Sequence, residues 1–338
     1  MNNFDYLKTG DVATAVREAT GPGKSFIGGG TNLLDLWKYD LTHPEKLVDI
    51  NGLNELKTIS ELPNGGLRLG ALVTNNATAY HSLVEERYPL LSRTILAGAT
   101  PQIRNSATNG GNLLQRTRCY YFYDPTSPCN KRNPGSGCPA IEGHNRLHAV
   151  LGHSEHCIAT MPSDMCVALA ALEATVRVTG PDGERAIAFA DFHRLPGERP
   201  QIDNTLGPDE LILSIDLPPR GFAAHHTYLK LRDRLSYAFA IVSVAIGYEL
   251  EDGKITVARI ALGGVAHKPW RVPAAEELLV GEEPNAESFG RAADLLLAGA
   301  SGFEHNAFKI QLAHRTCVRA GMMALDPSCQ RPGAKPSL

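Results

Sequence analysis

Apolar residues recur along this chain with two periods, one typical of helices and one typical of strands. In the first hundred residues a strand pattern is twice followed by a helical pattern. The alternation predicts a small β-α-β unit near the N-terminus, with a glycine run where its strand turns into a helix. The predicted elements are a helix over 14–19, a strand over 24–29, a helix over 31–39, strands over 46–50 and 67–74, and helices over 77–86 and 90–99.

The second half of the chain changes to a run of strands followed by a run of helices, which is typical of an α+β domain. We expect an α+β protein with an α/β region over 1–221, which begins with the β-α-β unit over 1–55. An α+β domain over 222–325 and a flexible tail over 326–338 follow. The predicted elements are a helix capped by Ser163 or Asp164 and then a strand within 162–180, strands over 226–232, 237–250 and 255–265, turns at Pro181 to Gly183 and Asp252-Gly253, and helices over 274–280, 286–300 and 306–325.

Composition narrows the possible partners without changing this architecture. The 338 residues are 43% hydrophobic, which supports full cores, and the formal net charge is −3 with a pI near 6.5. No block of lysine and arginine is dense enough to bind nucleic acid. No run of 18 apolar residues predicts a membrane span, and the first eleven residues lack the basic and apolar segments of an export signal. We therefore expect no membrane span and no export signal of the chain's own.

One stretch, from Arg116 to Cys157, breaks both periodicities and holds four of the seven cysteines with four histidines and four prolines. Its cysteines are separated by nine, eight and eighteen residues, whereas zinc ligands usually come in closer pairs. Four thiolates on a long irregular loop suit a [4Fe–4S] cluster, because each iron takes one cysteine. Zinc held by cysteine and histidine, disulfides and unligated thiols stay open as alternatives. These cysteines are Cys119, Cys129, Cys138 and Cys157.

The glycine run Gly28-Gly29-Gly30-Thr31-Asn32 is a candidate phosphate-binding loop. It lies after a predicted strand and before a predicted helix, where backbone N–H groups can close around an anion. Leu33 stands where a Rossmann motif needs its last glycine, so that fold is not indicated. Nearby Gly23-Lys24-Ser25 resembles the end of a P-loop, but the glycine five residues earlier is missing and a strand follows instead of a helix. A simple tight turn is the alternative.

Two further motifs change this interpretation: RNSATNGGN over 104–112 and MPSD over 161–164. With the glycine run they resemble the FAD-binding medium subunit of the xanthine dehydrogenase and aldehyde oxidase family of molybdenum hydroxylases. The three motifs occur in the family's order, and the resemblance extends through the C-terminal domain. It implies a two-part FAD-binding region like that of the vanillyl-alcohol oxidases, followed by a domain like the C-terminal domain of the CO dehydrogenase flavoprotein.

The resemblance also assigns FAD-binding roles residue by residue. Asp164 would hold ribityl or ribose hydroxyls, and Lys230 would lie near the pyrimidine edge of the flavin, where its charge favours the reduced, anionic ring. Without the resemblance, Asp164 is a helix cap and Lys230 a solvated strand lysine. The pyrophosphate would be wrapped by Phe26, Ile27, Gly28, Gly29, Gly30, Thr31, Asn32 and Leu33, with a second contact from Thr108, Gly111 and Asn112.

Compared with this family, the cysteine-rich stretch is an insertion. Most members have only a handful of residues where this chain has an insertion over 113–161. A branch typified by 4-hydroxybenzoyl-CoA reductase and the bacterial periplasmic aldehyde oxidoreductases carries an extra [4Fe–4S] cluster there, which implies that the four clustered cysteines are its ligands. The insertion's histidines are then expected as surface groups or as neighbours of the ligands: His144, His148, His153 and His156.

The resemblance implies an electron-transfer subunit of a heterotrimeric aldehyde oxidoreductase. A large partner with a molybdopterin cofactor would oxidise aldehydes to carboxylic acids, and a small partner would hold two [2Fe–2S] clusters. Electrons would reach FAD and leave for an external acceptor, and no residue of this chain would act on the aldehyde. We expect a periplasmic complex, exported folded with a signal-bearing partner, or else a cytoplasmic one. The alternatives are a stand-alone FAD oxidoreductase with a structural zinc insertion and a flavin-free scaffold subunit.

Overall fold

A computed structural model describes residues 2–327, so most of the predicted tail over 326–338 lies outside the described residues. The N-terminal part is a parallel three-stranded sheet in the order β1-β3-β2, with a helix after each of its first two strands. Asp11 begins the first helix, because its carboxylate accepts a hydrogen bond of 2.8 Å from the backbone of Thr14. The elements are β1 (Asp5–Lys8), α1 (Val12–Ala19), β2 (Lys24–Ile27), α2 (Leu33–Lys38) and β3 (Lys46–Asp49).

A five-stranded antiparallel sheet follows, and its central strand was not predicted. The strand order is β4-β5-β8-β6-β7. No element was predicted over most of strand β8, which lies between two segments rich in proline and glycine, 195–208 and 217–221. Its Asp216 pairs with Arg68 of β5 at 2.7 Å, which helps to set the register. The strands are β4 (Ile59–Glu61), β5 (Leu67–Gly70), β6 (Thr175–Gly180), β7 (Gly183–Ala188) and β8 (Leu211–Leu217).

Most of the short helices in this part of the chain pack into one core with this sheet, and one of them begins where the insertion ends. The single helix predicted over 77–86 is two helices, which are separated at Tyr80 and His81. Ser163, and not Asp164, caps the helix after the insertion, since its hydroxyl accepts from the backbone of Cys166 at 3.1 Å. The helices are α3 (Asn75–Ala79), α4 (Ser82–Arg87), α5 (Pro89–Leu96), α6 (Pro101–Arg104), α7 (Asn109–Leu113), α8 (Tyr120–Tyr123), α9 (Asp164–Ala171) and α10 (Phe189–Phe192).

The C-terminal part is an antiparallel sheet in the order β11-β10-β9, with its helices packed against it. Strand β10 begins at Val242 and not at 237, because residues 232–241 form a loop. The predicted boundaries at residues 55, 221 and 325 stay predictions. The elements are β9 (His225–Leu231), β10 (Val242–Glu251), β11 (Lys254–Gly263), α11 (Pro273–Glu277), α12 (Ala286–Leu296) and α13 (Phe308–Ala324).

The insertion is mostly irregular, yet buried polar contacts fix it to the rest of the fold. From α13, the ammonium of Lys309 donates to the carbonyl of His148 at 2.8 Å, although Lys309 is fully buried. Burial, with the charge of Arg146, lowers the pKa of Lys309 to about 7. Lys131, also buried, donates to the Asp203 carboxylate and to the Pro200 carbonyl. Within residues 2–327 we find no helix long and apolar enough to cross a membrane.

Two glycines in the C-terminal helices give a matched test of this packing. At Gly321 of α13 a Cβ atom would lie 2.5 Å from the buried ring of Phe289, whereas at Gly290 of α12 it would meet nothing within 4 Å. Both Gly→Ala changes gain the same helix propensity, so their difference isolates the clash. We predict that Gly321→Ala is about 1–3 kcal/mol less stable than Gly290→Ala by denaturant unfolding. Equal stabilities would contradict this packing.

Candidate cofactor sites

The two glycine-containing loops meet at a cavity of about 330 Å³, which we call the glycine-loop cavity. One wall is the turn between β2 and α2, and another is the loop that begins α7. Strand β8 and residues 206–210 close the far side. The structure therefore brings together most of the residues predicted to wrap the pyrophosphate. The predicted residues that line the cavity are Phe26, Ile27, Gly28, Gly29, Gly30, Thr31, Asn32, Leu33, Thr108 and Gly111.

Backbone packing holds these loops together and explains one of the glycines. A Cβ atom on Gly29 would lie 1.9 Å from the carbonyl oxygen of Ser106, so only glycine lets the loops approach this closely. The hydroxyl of Ser106 donates to the carbonyl of Gly29 at 2.9 Å, and the amide of Asn32 donates to the carbonyl of Gly111 at 2.7 Å. Gly30 has a φ of 73°, which lets the strand turn into α2. Gly29 is thus needed for loop packing, whatever the ligand.

The two polar residues of the second loop that were predicted to contact FAD, Thr108 and Asn112, have structural partners. The hydroxyl of Thr108 caps α7 by accepting from the backbone of Gly111 at 3.2 Å. Asn112 does not line the glycine-loop cavity. Its amide donates to Asn75 at 2.7 Å, and its oxygen accepts from the hydroxyl of Ser163 at 2.6 Å. Asn112 therefore links the second glycine loop to the start of α9.

Asp164 and Lys230 form a buried ion pair instead of lining the glycine-loop cavity. The Lys230 ammonium lies 2.7 Å from the Asp164 carboxylate, with side-chain exposures of 4% and 10%. The Tyr228 hydroxyl donates to the other carboxylate oxygen at 2.5 Å. Burial, and then the charge of Asp164, raise the pKa of Tyr228 well above its ordinary value, so its hydroxyl keeps its proton.

Asp164 lines a second cavity of about 40 Å³, which we call the Asp164 cavity. Ser163, Thr117, Cys119 and His148 also line it, so it extends from α9 towards the insertion. The predicted set thus falls into two regions. The glycine loops share one cavity. Asp164 and Lys230 form their pair outside it, and Ser163, the residue before Asp164, bonds Asn112 of the second loop.

The glycine-loop cavity includes residues that the sequence did not indicate. Arg116 supplies a cation to its lining, and the apolar residues Leu211 and Ile212 come from the missed strand β8. The position of Arg116, four residues after the second glycine loop, was the only available signal for it. With Leu72 on the same lining, the cavity offers loop backbone and a cation beside apolar walls. That combination fits FAD, whose diphosphate needs N–H donors and whose rings need apolar contact.

All four cysteines of the insertion line a third, small cavity, which we call the cysteine cavity. Its volume is about 10 Å³, and all four residues are free thiols. Lys131 and His148 lie on the same lining. Cys119 and His148 line both this cavity and the Asp164 cavity, so the two cavities are neighbours. Cysteines separated by up to eighteen residues in sequence are therefore brought together in the fold.

Burial keeps three of these thiols, those of Cys119, Cys138 and Cys157, protonated as long as no metal is bound. It raises the pKa of Cys119 to about 12 and that of Cys157 to about 11, and it also raises the pKa of Cys138. The charge of Lys131 opposes the shift at Cys157. Loading a metal must therefore release protons. Among residues 2–327 we find no group of three or more histidine, cysteine or carboxylate side chains that is already arranged to hold a metal ion.

The four histidines of the insertion do not behave alike. The residues from His144 to His148 form no helix, so the spacing of these two histidines does not make a helical pair. His144 and His156 are exposed, and His153 contacts the hydroxyl of Ser301 at 2.9 Å. His148 is buried, with its Nε2 atom 3.1 Å from the sulfur of Cys119. Burial, with the nearby charge of Lys309, lowers the pKa of His148 to about 4.

Comparison with known proteins places both parts of the chain. Residues 2–220 match the family "FAD binding domain in molybdopterin dehydrogenase", and residues 226–320 match "CO dehydrogenase flavoprotein C-terminal domain". Both matches identify the chain as an FAD-binding protein of the molybdenum hydroxylase family. The chain belongs to this family, and both the predicted family and the predicted fold class are confirmed.

Individual relatives agree with this assignment. The aldehyde oxidoreductase FAD-binding subunit PaoB of Escherichia coli K12 is 50% identical over 94% of this chain and 96% of its own length. The carbon monoxide dehydrogenase medium chain of Afipia carboxidovorans is 25% identical over 88% of each chain. A solved structure of carbon monoxide dehydrogenase from Hydrogenophaga pseudoflava superimposes with a TM-score of 0.75 at 25% identity and covers 96% of this chain and 97% of its own.

The close approach of the two glycine loops gives a prediction for flavin binding. Gly29→Ala places a methyl group 1.9 Å from the Ser106 carbonyl and must push the loops apart. We expect the purified variant to retain little FAD. The matched control is Gly10→Ala, whose Cβ atom would meet nothing within 4 Å and which should keep full flavin. The ratio of flavin to protein measures both, and full flavin in Gly29→Ala would contradict the loop geometry.

The buried ion pair gives a second prediction. Asp164→Ala leaves Lys230 buried without its counter-ion, which should cost roughly 3–5 kcal/mol of stability, and adding Lys230→Met should restore most of it. The double variant then separates folding from ligand contact. If the pair of Asp164 and Lys230 contacts FAD as predicted, the stable double variant retains less flavin after gel filtration. Full flavin occupancy in that variant would show that the pair is only structural.

Proposed function

We propose that this chain is the FAD-bearing, electron-transferring subunit of a molybdenum-dependent aldehyde oxidoreductase. The observation that carries the proposal is the 50% identity to PaoB along nearly the whole length of both chains, since that relative is named for both FAD and aldehyde oxidation. FAD supplies the exchange of one or two electrons when it is bound. In this chain the glycine-loop cavity is the site for its diphosphate and for part of its apolar surface.

The polar groups of this chain bind and tune FAD and do not act on the aldehyde. The backbone of the two glycine loops, with Arg116, surrounds the negative charge of the diphosphate. Asp164 holds hydroxyl groups of the flavin chain, and Lys230 provides a positive charge near the ring. Tyr228 holds the Asp164 carboxylate in place by donating a hydrogen bond to it. We assign no residue of this chain as an acid, base or nucleophile for the aldehyde. The aldehyde is oxidised on a partner subunit in this proposal.

The proposed partners are a large molybdopterin subunit and a small subunit with two [2Fe–2S] clusters. Relatives named as medium chains of carbon monoxide and glyceraldehyde dehydrogenases support an intermediate subunit of a larger complex. Electrons received from the small subunit would leave this chain for an external acceptor. We place the complex in the periplasm, reached by export together with a signal-bearing partner.

We also propose that the insertion holds a [4Fe–4S] cluster through Cys119, Cys129, Cys138 and Cys157. The support is geometric: four free thiols from distant positions line one cavity, with the buried cation Lys131 beside them. That charge would offset the negative charge of four thiolates. The void of about 10 Å³ is smaller than a cluster, so binding requires the cysteine side chains to turn outwards.

The cysteine cavity suits a cluster better than zinc. A single zinc ion needs four ligand atoms within about 2.3 Å of one point, and its ligands usually come in close pairs along the chain, whereas these cysteines are separated by nine, eight and eighteen residues. In a cluster each cysteine binds a different iron, so the four sulfur atoms stay further apart. The alignment with PaoB spans 94% of this chain, so most of the insertion has a counterpart there.

Replacing one ligand tests this proposal. Cys129→Ser should remove about four irons and four sulfides per chain while FAD stays largely bound, because the glycine-loop cavity does not include Cys129. The matched control is Cys317→Ala, a buried cysteine of α13 that lines none of the three cavities, and it should keep both cofactors. Iron, sulfide, zinc and flavin analysis of anaerobically purified protein gives the answer. An iron count unchanged by Cys129→Ser would reject the cluster assignment.

A further inference from the structure

His148 is the buried histidine of the insertion, and its side chain contacts a candidate cluster ligand. Its Nε2 atom lies 3.1 Å from the Cys119 sulfur, and the residue is only 2% exposed. It lines the cysteine cavity on one side and the Asp164 cavity on the other. His148 therefore lies on the side of the cysteine cavity that faces Asp164.

Several buried contacts fix the backbone of His148. Its carbonyl accepts from the Lys309 ammonium at 2.8 Å and from the Asn306 amide at 3.3 Å. Its N–H donates to the carbonyl of Asn145 at 2.9 Å. Both Lys309 and Asn306 are fully buried. Burying the Lys309 ammonium lowers the stability of the fold. Its hydrogen bond to the backbone nevertheless holds this segment, and with it the imidazole, in one place.

Once the Cys119 thiol is ionised, the hydrogen bond between it and His148 can run in only one direction. A thiolate has no proton to donate, so the nitrogen that faces it must carry the hydrogen. That assigns the proton of a neutral ring to Nε2. The Nδ1 atom is buried and has no hydrogen-bond partner among residues 2–327, so no hydrogen bond there requires the opposite tautomer. The imidazole is thus oriented to donate an N–H···S hydrogen bond.

We propose that His148 is a positioning residue that donates this hydrogen bond to the Cys119 thiolate and thereby raises the reduction potential of the cluster. This inference rests on the proposed cluster. Reduction adds one electron and one negative charge to the cluster and its thiolates, and no proton moves. A donor to sulfur stabilises the more negative state more strongly, so it favours reduction.

The test is a redox titration of the anaerobically purified full chain, with dithionite as the reductant and the EPR signal of the reduced cluster as the readout. We expect His148→Phe to lower the midpoint potential, with a tenfold change in the reduction equilibrium corresponding to about 59 mV for one electron. His148→Gln keeps an N–H donor and should recover most of the shift. The control is the exposed His144, and His144→Phe should leave the potential unchanged.

The outcomes separate this inference from the function on which it rests. If the unaltered chain contains no iron, the cluster proposal fails. If the cluster is present and His148→Phe has an unaltered potential, the role of His148 is overturned. Should His148→Phe lose its cluster, ¹⁵N-histidine labelling of the unaltered chain decides the question. Pulsed EPR should then detect a weakly coupled ¹⁵N nucleus at the reduced cluster that remains in His156→Phe, which removes the other histidine of the cysteine cavity, and its absence would overturn the inference.

Discussion

The buried ion pair of Asp164 and Lys230 connects the flavin-binding half of the chain to the C-terminal sheet. Asp164 begins the helix that follows the insertion, while Lys230 and Tyr228 project from β9. Each of these buried charges would be strongly destabilising without the other. The two halves are therefore favoured in the alignment that brings the ammonium and the carboxylate together. Because Ser163 also bonds Asn112, that alignment fixes the second glycine loop and the exit of the insertion together.

The insertion depends on the same two halves. Lys131 reaches Asp203, which also pairs with Arg116 at 2.8 Å, and Arg116 lines the glycine-loop cavity. From the other side, Lys309 of α13 holds the backbone of His148. The cysteine cavity is therefore supported by residues of both halves, although the insertion itself is irregular. Cations buried at its edges would suit the proposed cluster, whose binding would convert the four thiols to thiolates.

The sequence predicted the local features of the fold and missed those that depend on distant partners. The β-α-β unit and the C-terminal strands follow from periodicity. Strand β8 was missed because its neighbours in the sheet, not its flanking loops, make it a strand. The resemblance supplied Asp164 and Lys230, but only the structure shows them as a pair. Only its position shortly after the second glycine loop pointed to Arg116, and no sequence pattern indicated the contact of His148, since both arise from how the insertion folds back.

The central claim is that the insertion holds a cluster beside the flavin site. The most direct measurement is anomalous diffraction at the iron edge from crystals of the anaerobically purified protein. The account predicts one compact iron peak among Cys119, Cys129, Cys138 and Cys157, next to the wall formed by His148. A peak at the zinc edge alone, or no anomalous peak at these cysteines, would contradict it.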